Sequence, residues 1–316
     1  MRKSVHLLEL GVGLYLLVAV PTFMVDRLFN EHASIAFLLA VVLFGAVQVQ
    51  HGPRWCAGAT VLGAGAVFLS GVWATDPIPL ALVVGGTAFL AGASTRWARQ
   101  TALIAVPITA AVLSTSVSTA DAAARAVGIL AGGLYGAVVL TLLKLPARPL
   151  GAPLPRNMAL LYGAIMGLLA GVATAIVTKL GLPHGYWLTL TFLAVMTPTV
   201  VGTRLKTFQR VAGTIVGSGL ALFVAMVVPT HGVEIAVGLA FVIASAVLSA
   251  NYQLYTALMT IGVVLLVEGK TPAGEAVELR LGLTLTSGLI VVGLCYLVPS
   301  LLHRLEPKPV VTDGHS

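Results

Sequence analysis

Apolar residues run through this chain in blocks of about twenty, set apart by short clusters of charge, proline and glycine. A helix that crosses a bilayer needs about 20 mostly apolar residues, with a range of about 17 to 25. Twelve blocks qualify: 7–25, 33–50, 55–74, 77–94, 100–119, 122–144, 158–179, 185–203, 208–229, 232–249, 251–268 and 278–301. Between the sixth and seventh lies LPARPLGAPLPRN, whose prolines and arginines cannot continue a helix. The pattern predicts an all-α integral membrane protein of about 12 transmembrane helices in two six-helix halves. The first half is 1–144, the linker 145–157, the second half 158–301, and a short tail follows at 302–316.

The halves repeat. A shift of 155 residues puts Ala57-Gly58 on Ala212-Gly213, Thr101-Ala102-Leu103 on Thr256-Ala257-Leu258, Arg125 on Arg280 and Gly133 on Gly288. Six is even, so the repeats are expected to be parallel, related by an axis along the membrane normal. Charge sets the orientation. With the N-terminus in the cytoplasm, the inner side receives Arg2, Lys3, Arg54, Arg96, Arg99, Lys144, Arg148, Arg156, Arg204, Lys206, Arg210, Arg304 and Lys308. The outer side receives Arg27, Arg125, Lys179, Lys270 and Arg280, a clear positive-inside bias with both termini cytoplasmic.

Composition removes the soluble alternatives. Hydrophobic residues make up 58% and charged residues 9%, against about 25% charged in soluble domains. The formal charge of +7 is scattered in ones to threes between apolar runs, which reads as topology and not as nucleic-acid binding. The start, MRKSVHLLELGVGLYLLVAV, has the basic tip of a signal peptide, but Glu9 interrupts it and no clean small-x-small site follows; it is read as a retained first helix. Cys56 and Cys295 lie in apolar runs and support neither a disulfide nor a metal site. HExxH, GxSxG and phosphate-loop patterns are missing, so neither an enzyme nor a cofactor is expected.

Helix breaks and intramembrane charge carry the candidate chemistry. A broken helix leaves backbone groups unpaired in lipid, so breaks persist only where protein or a polar cavity satisfies them. Pro107 sits inside the fifth block, and the 155 shift places it on Gly262; paired breakers of this kind point to a midplane site. Pro198 adds a third break, flanked by Thr197 and Thr199, whose hydroxyls can cover freed carbonyls. Arg125 and Arg280 are candidates to bind an organic carboxylate through paired hydrogen bonds; the competing reading has them snorkel or pair with Asp121 and Glu278. Glu9, the one acid well inside a block, is the candidate proton-coupling group. Gly128, Gly132 and Gly136, and Gly163, Gly167 and Gly171, form small-residue faces for packing within the chain or in a homodimer.

One stretch, 184–221, combines most of these signals. His184, Tyr186 and Trp187 open it at the headgroup level, as an interface belt or, in the substrate-binding reading, as an aromatic surface at the outer mouth where a planar acid could stack; a basic turn with Arg204, Lys206 and Arg210 follows, and a glycine-rich helix re-enters the membrane. Tyr186-Trp187, the basic turn, and Arg210-x-x-Gly213-Thr214-x-x-Gly217 together resemble the membrane signature of the fusaric acid resistance protein-like family. That family is grouped with the aromatic acid exporters and is similar to plant aluminium-activated malate transporters. The resemblance is best over about 158–300. It implies a bacterial inner-membrane exporter of small aromatic or other organic acids, driven by the proton gradient, with alternating access between the halves. An organic-anion channel and a non-transporting membrane scaffold are the alternatives. The chain departs from many such exporters in leaving no room for a sizeable cytoplasmic domain between the halves.

Overall fold

Every described element is helical, as lipid demands: with no water to satisfy exposed amides, a spanning segment must close its own backbone hydrogen bonds. The structure, a computed structural model, describes residues 2–98, 100–143, 152–227, 231–247, 251–267 and 273–305. The helices are α1 (Arg2–Leu28), α2 (Glu31–His51), α3 (Pro53–Val72), α4 (Pro77–Ala93), α5 (Gln100–Leu103), α6 (Ala105–Val112) and α7 (Thr119–Leu142). After the linker come α8 (Arg156–Lys179), α9 (Tyr186–Val195), α10 (Val200–Val227), α11 (His231–Val247), α12 (Tyr252–Val267) and α13 (Ala273–Leu305). A 3-10 turn, Ser94–Trp97, extends α4. Among the described residues seven helices are long and apolar enough to span a membrane: α2, α3, α4 with its 3-10 turn, α7, α8, α10 and the Val277–Leu297 part of α13. Most of the linker, and the tail beyond Leu305, lie outside the described residues.

Glycine decides which helices pair. A Cβ added at Gly128, Gly132 or Gly136 of α7 would meet the carbonyls of Ala33, Phe37 and Val41 in turn, so α7 runs parallel to α2 with backbones touching. Gly163, Gly167 and Gly171 of α8 meet Phe89, Gly85 and Ala81 of α4 in the reverse order, so α8 lies antiparallel to α4 and binds the second half to the first. Both small-residue faces are therefore used for packing within the chain. The main core follows the same seam: Phe44, Val67, Val84, Val106, Met166 and Leu193 bring α2, α3, α4, α6, α8 and α9 into one buried cluster. The opposite faces of the long helices expose Leu134, Leu168, Phe223 and Leu289, an apolar exterior suited to acyl chains.

Helix contacts recur at the 155 shift. α3 packs on α7 as α10 packs on α13; α3 on α6 as α10 on α12; α4 on α6 as α11 on α12; α1 on α2 as α8 on α9; α2 on α7 as α9 on α13.

Two of the twelve expected spans are interrupted. Block 100–119 becomes α5, four residues long, and α6, eight residues long, with the chain extended beyond Leu113. Block 185–203 becomes α9, ten residues long, or about 15 Å at 1.5 Å per residue, half of a hydrocarbon core of about 30 Å. The reason in both cases is burial by protein: Val106, Thr109 and Ala110 of α6 and Trp187, Phe192, Leu193 and Val195 of α9 are shielded by neighbouring helices. The expected basic turn is also corrected. The chain turns at residues 196–199, and Arg204, Lys206 and Arg210 all stand on α10, which begins at Val200. Gly262 does not break its helix either: α12 runs through it unbroken, and the missing side chain admits Gly238 and Val242 of α11.

Candidate functional site

The break between α9 and α10 forms because Pro198 has no N–H to give and holds the preceding residue out of the helical region. Met196 is already extended (φ −64°, ψ 127°). The freed groups are taken up by hydroxyls. Tyr252 of α12 donates to the Ala194 carbonyl (3.2 Å) and Tyr162 of α8 donates to that of Met196 (2.9 Å). Thr203 Oγ1 lies 3.1 Å from both the N–H and the carbonyl oxygen of Thr197, and Thr199 Oγ1 accepts from the Gly202 N–H (3.2 Å) as the cap of α10. Thr199→Ala is expected to cost about 1 kcal/mol, the usual value of an N-cap, read as a lower melting temperature in detergent with helix content unchanged.

At the other end of α9, its first turn presents Trp187 to a buried cation. The Arg280 guanidinium of α13 lies 3.7 Å from the Trp187 ring centroid, and its Nη2 donates to Thr260 Oγ1 of α12 at 3.2 Å. Exposure is 3% for Arg280, 3% for Trp187 and 0% for Thr260. The Trp187 Nε1–H is buried without a hydrogen-bond partner among the described residues. Tyr186 tilts against Trp187 with ring centroids 5.0 Å apart. A cation over an indole face gains about 2 kcal/mol or more when both are desolvated. The resulting group offers donors from three side chains on three helices, the complement of an oxyanion.

Arg125, expected to act like Arg280, is held differently. Its Nη1 donates to the carbonyls of Leu113 (2.7 Å) and Thr115 (3.0 Å), its Nη2 donates to Thr115 Oγ1 (2.7 Å), and His32 Nδ1 stands 3.4 Å away. Arg125 thus clamps the extended segment that leaves α6. Both arginines nonetheless keep a ring residue at the same offset, since His32 and Trp187 are also 155 residues apart.

The signature residues organise α10. A Cβ at Gly213 would lie 2.8 Å from Thr256 Cβ, and one at Gly217 2.7 Å from Thr260 Cβ, so α10 and α12 run parallel in backbone contact. That approach buries Arg210 and Thr214 on α10 beside the Thr256 and Thr260 face of α12. Toward the start of α10, Lys206 stands over the Tyr252 ring (5.5 Å), Tyr252 stacks on Tyr255 (6.0 Å), and Arg204 covers Tyr296 (3.9 Å). Polar side chains therefore line the packed interior from Arg280 through Thr260 and Thr256 to Arg210.

Of the residues singled out by sequence, the structure gathers Trp187 and Arg280 in one place and Thr197, Pro198 and Thr199 in another, with Tyr186 beside the first. Pro107 lies in the opening turn of α6, after the break at Ile104. The Glu9 side chain lies outside the described residues. Thr260, Tyr252, Tyr162, Thr203 and His32 were missed. The spacing of four between Tyr252, Thr256 and Thr260 was a readable signal, and so was the 155 shift applied to Trp187.

Residues 172–294, which hold α9 to α12 and both buried arginines of this half, match a family model. That family is the fusaric acid resistance protein-like family. The match supports the resemblance read from Tyr186-Trp187 and the Arg210 to Gly217 signature, and with the apolar helices it supports a multi-pass membrane protein; the family matched over this part of the chain suggests a transporter. No curated protein and no solved structure matches the chain.

Proposed function

We propose that this fusaric acid resistance protein-like chain exports small organic acids, aromatic ones foremost, across a bacterial inner membrane, coupled to the proton gradient and without enzymatic chemistry or a cofactor. One observation carries the reading: a buried arginine, Arg280, stacked on Trp187 and bonded to Thr260, with an unpaired indole N–H beside it. A carboxylate answers the orphan indole donor, and a planar acid also has an aromatic wall to lie against. The substrate path runs from Arg210 past Thr256 to Arg280. Two parallel repeats frame it, a reading supported by the recurring helix pairs and by the Arg125/His32 and Arg280/Trp187 correspondence. The end rich in Arg54, Arg96, Arg156, Arg204 and Lys206 is then cytoplasmic.

The test is flux of labelled aromatic and aliphatic carboxylates in proteoliposomes with and without a pH gradient. Gradient-driven accumulation of an aromatic acid is the expected outcome; flux that only equilibrates, with unitary currents, would make the protein an anion channel, and no flux across the panel would leave a membrane scaffold. Glu9→Gln is expected to abolish accumulation while leaving equilibrating exchange, because a carrier that loses its titrating acid loses the coupling and not the binding site.

A further inference from the structure

An open recess of about 530 Å³ lies at the end of the bundle where α3 and α8 begin, lined by Trp55, Arg96, Trp97 and Pro153. It is remote from the Arg280 group, which faces the opposite end through the first turn of α9. Its walls come from three places in the chain: the first turn of α3, the 3-10 turn after α4, and the last residues before α8. The last two are fastened together by the Leu154 N–H, which donates to the Thr95 carbonyl at 3.1 Å. Ala98 adopts φ +54°, a left-handed conformation that L-residues with a Cβ rarely take. The sharp turn there leaves Trp97 57% exposed, and the Arg96 guanidinium stands 5.3 Å from its ring.

Charge at this end is unbalanced. The first turns of α3 and α8 contain Arg54 and Arg156 and no acid, although a helix N-terminus disfavours cations and attracts anions. The described carboxylates, Asp26, Glu31, Asp76, Asp121, Glu234 and Glu278, all stand at the opposite end of the bundle. Arg96 therefore lines the recess at an end of the bundle where two helix starts carry further arginines, Arg54 and Arg156, and where no described carboxylate stands. Tryptophan at such a level belongs among lipid headgroups, where one edge of the ring is apolar and the other wet. The recess is open and not enclosed, which leaves room for a ligand that remains anchored in the bilayer.

We propose that the Trp55, Arg96, Trp97 and Pro153 recess binds the headgroup of an anionic phospholipid, with its phosphodiester on Arg96 and its glycerol against the two indoles. The site does not depend on what the protein transports.

The test uses full-length protein with Trp73 and Trp187 replaced by phenylalanine, so that emission comes from the two recess tryptophans, in vesicles containing either brominated phosphatidylglycerol or brominated phosphatidylcholine. Apparent affinity from quenching is expected to favour phosphatidylglycerol about fivefold, the ratio that one arginine at a membrane surface supports. Arg96→Gln should lose that preference, and Arg27→Gln, an exposed arginine at the opposite end, should keep it. Native mass spectrometry of the unsubstituted protein supplies a second reading, with phosphatidylglycerol retained by the wild type and lost in Arg96→Gln. Equal quenching by the two lipids, equal behaviour of the two arginine variants, or displacement by free glycerol phosphate at the concentration of the lipid would each overturn the proposal, the last by assigning the recess to a soluble phosphate ester.

Discussion

Replacing Gly217 by valine is expected to melt the second half of the protein, whereas Gly219→Val two residues along should leave it intact. A Cβ at Gly217 would sit 2.5 Å from the Ala257 carbonyl oxygen and 2.7 Å from Thr260 Cβ, and neither atom is the loose end of a flexible side chain. The two helices must part to admit it. Overpacking of this kind costs roughly 1–3 kcal/mol in a core, and the branched side chain adds more because α10 and α12 would separate along their length. At Gly219 nothing stands within 4 Å, so the same substitution meets only lipid. Melting in detergent micelles should show the first variant lower by at least about 5 °C, given about 2–4 °C per kcal/mol for chains of this size. Equal melting of the two variants would mean that α10 and α12 are not in backbone contact.

The arginines at the 155 shift should separate stability from transport. Arg125→Gln removes donors from the Leu113 and Thr115 carbonyls, and a buried acceptor left without a partner costs about 1–3 kcal/mol. Its effect should appear as a lower melting temperature, with flux per folded molecule little changed. Arg280→Gln keeps a side chain able to reach Thr260 but deletes the charge beside Trp187. A charge-assisted hydrogen bond lost to a carboxylate substrate corresponds to about 1.5–3 kcal/mol, so transport at low substrate should fall about tenfold to a hundredfold per folded molecule, on top of the lower melting temperature that losing the cation–π contact brings. Arg280→Lys should fall between, because an ammonium keeps the charge and loses the planar fork. Full flux in Arg280→Gln would remove this arginine from the substrate path.

Element positions were legible in the sequence because the physics that places a membrane helix is mostly a matter of length and polarity. Ten of the twelve apolar blocks correspond to one helix each, and the linker falls where prolines cluster. The orientation of each helix about its own axis was not legible. In a soluble protein polar residues mark the outer face, but here Leu134 faces outward and Ile129 inward on the same helix with the same chemistry. Small residues gave the better guide: the Gly128 and Gly163 series were read as contact faces, although not against which partner. The break at Pro198 was recognised, yet the helix on either side was misjudged. Apolar content suggested that α9 continued to residue 203, whereas Thr199 supplies a cap and Thr203 a hydroxyl, so that α10 starts early and carries its three basic residues as helical ones. From sequence Trp187 reads as an interface-belt residue or as a stacking surface for a planar acid; its burial against Arg280 depends on α13, nearly a hundred residues away, and no local pattern reports it.

Backbone contact between α4 and α8 has a mechanical consequence. Gly85, Gly92, Gly163, Gly167 and Gly171 remove the side chains that would act as a cushion between the two halves at successive levels. Rods joined in this way behave as a single beam, since sliding one past the other would drive carbonyl oxygens into Cα atoms. Sliding of α4 along α8 is disfavoured, and a rocking of one half against the other would have to pivot about that line. Compliance is left to the short helices α6 and α9, which meet in the interior and are tethered by tyrosine, threonine and arginine donors that water can replace one at a time.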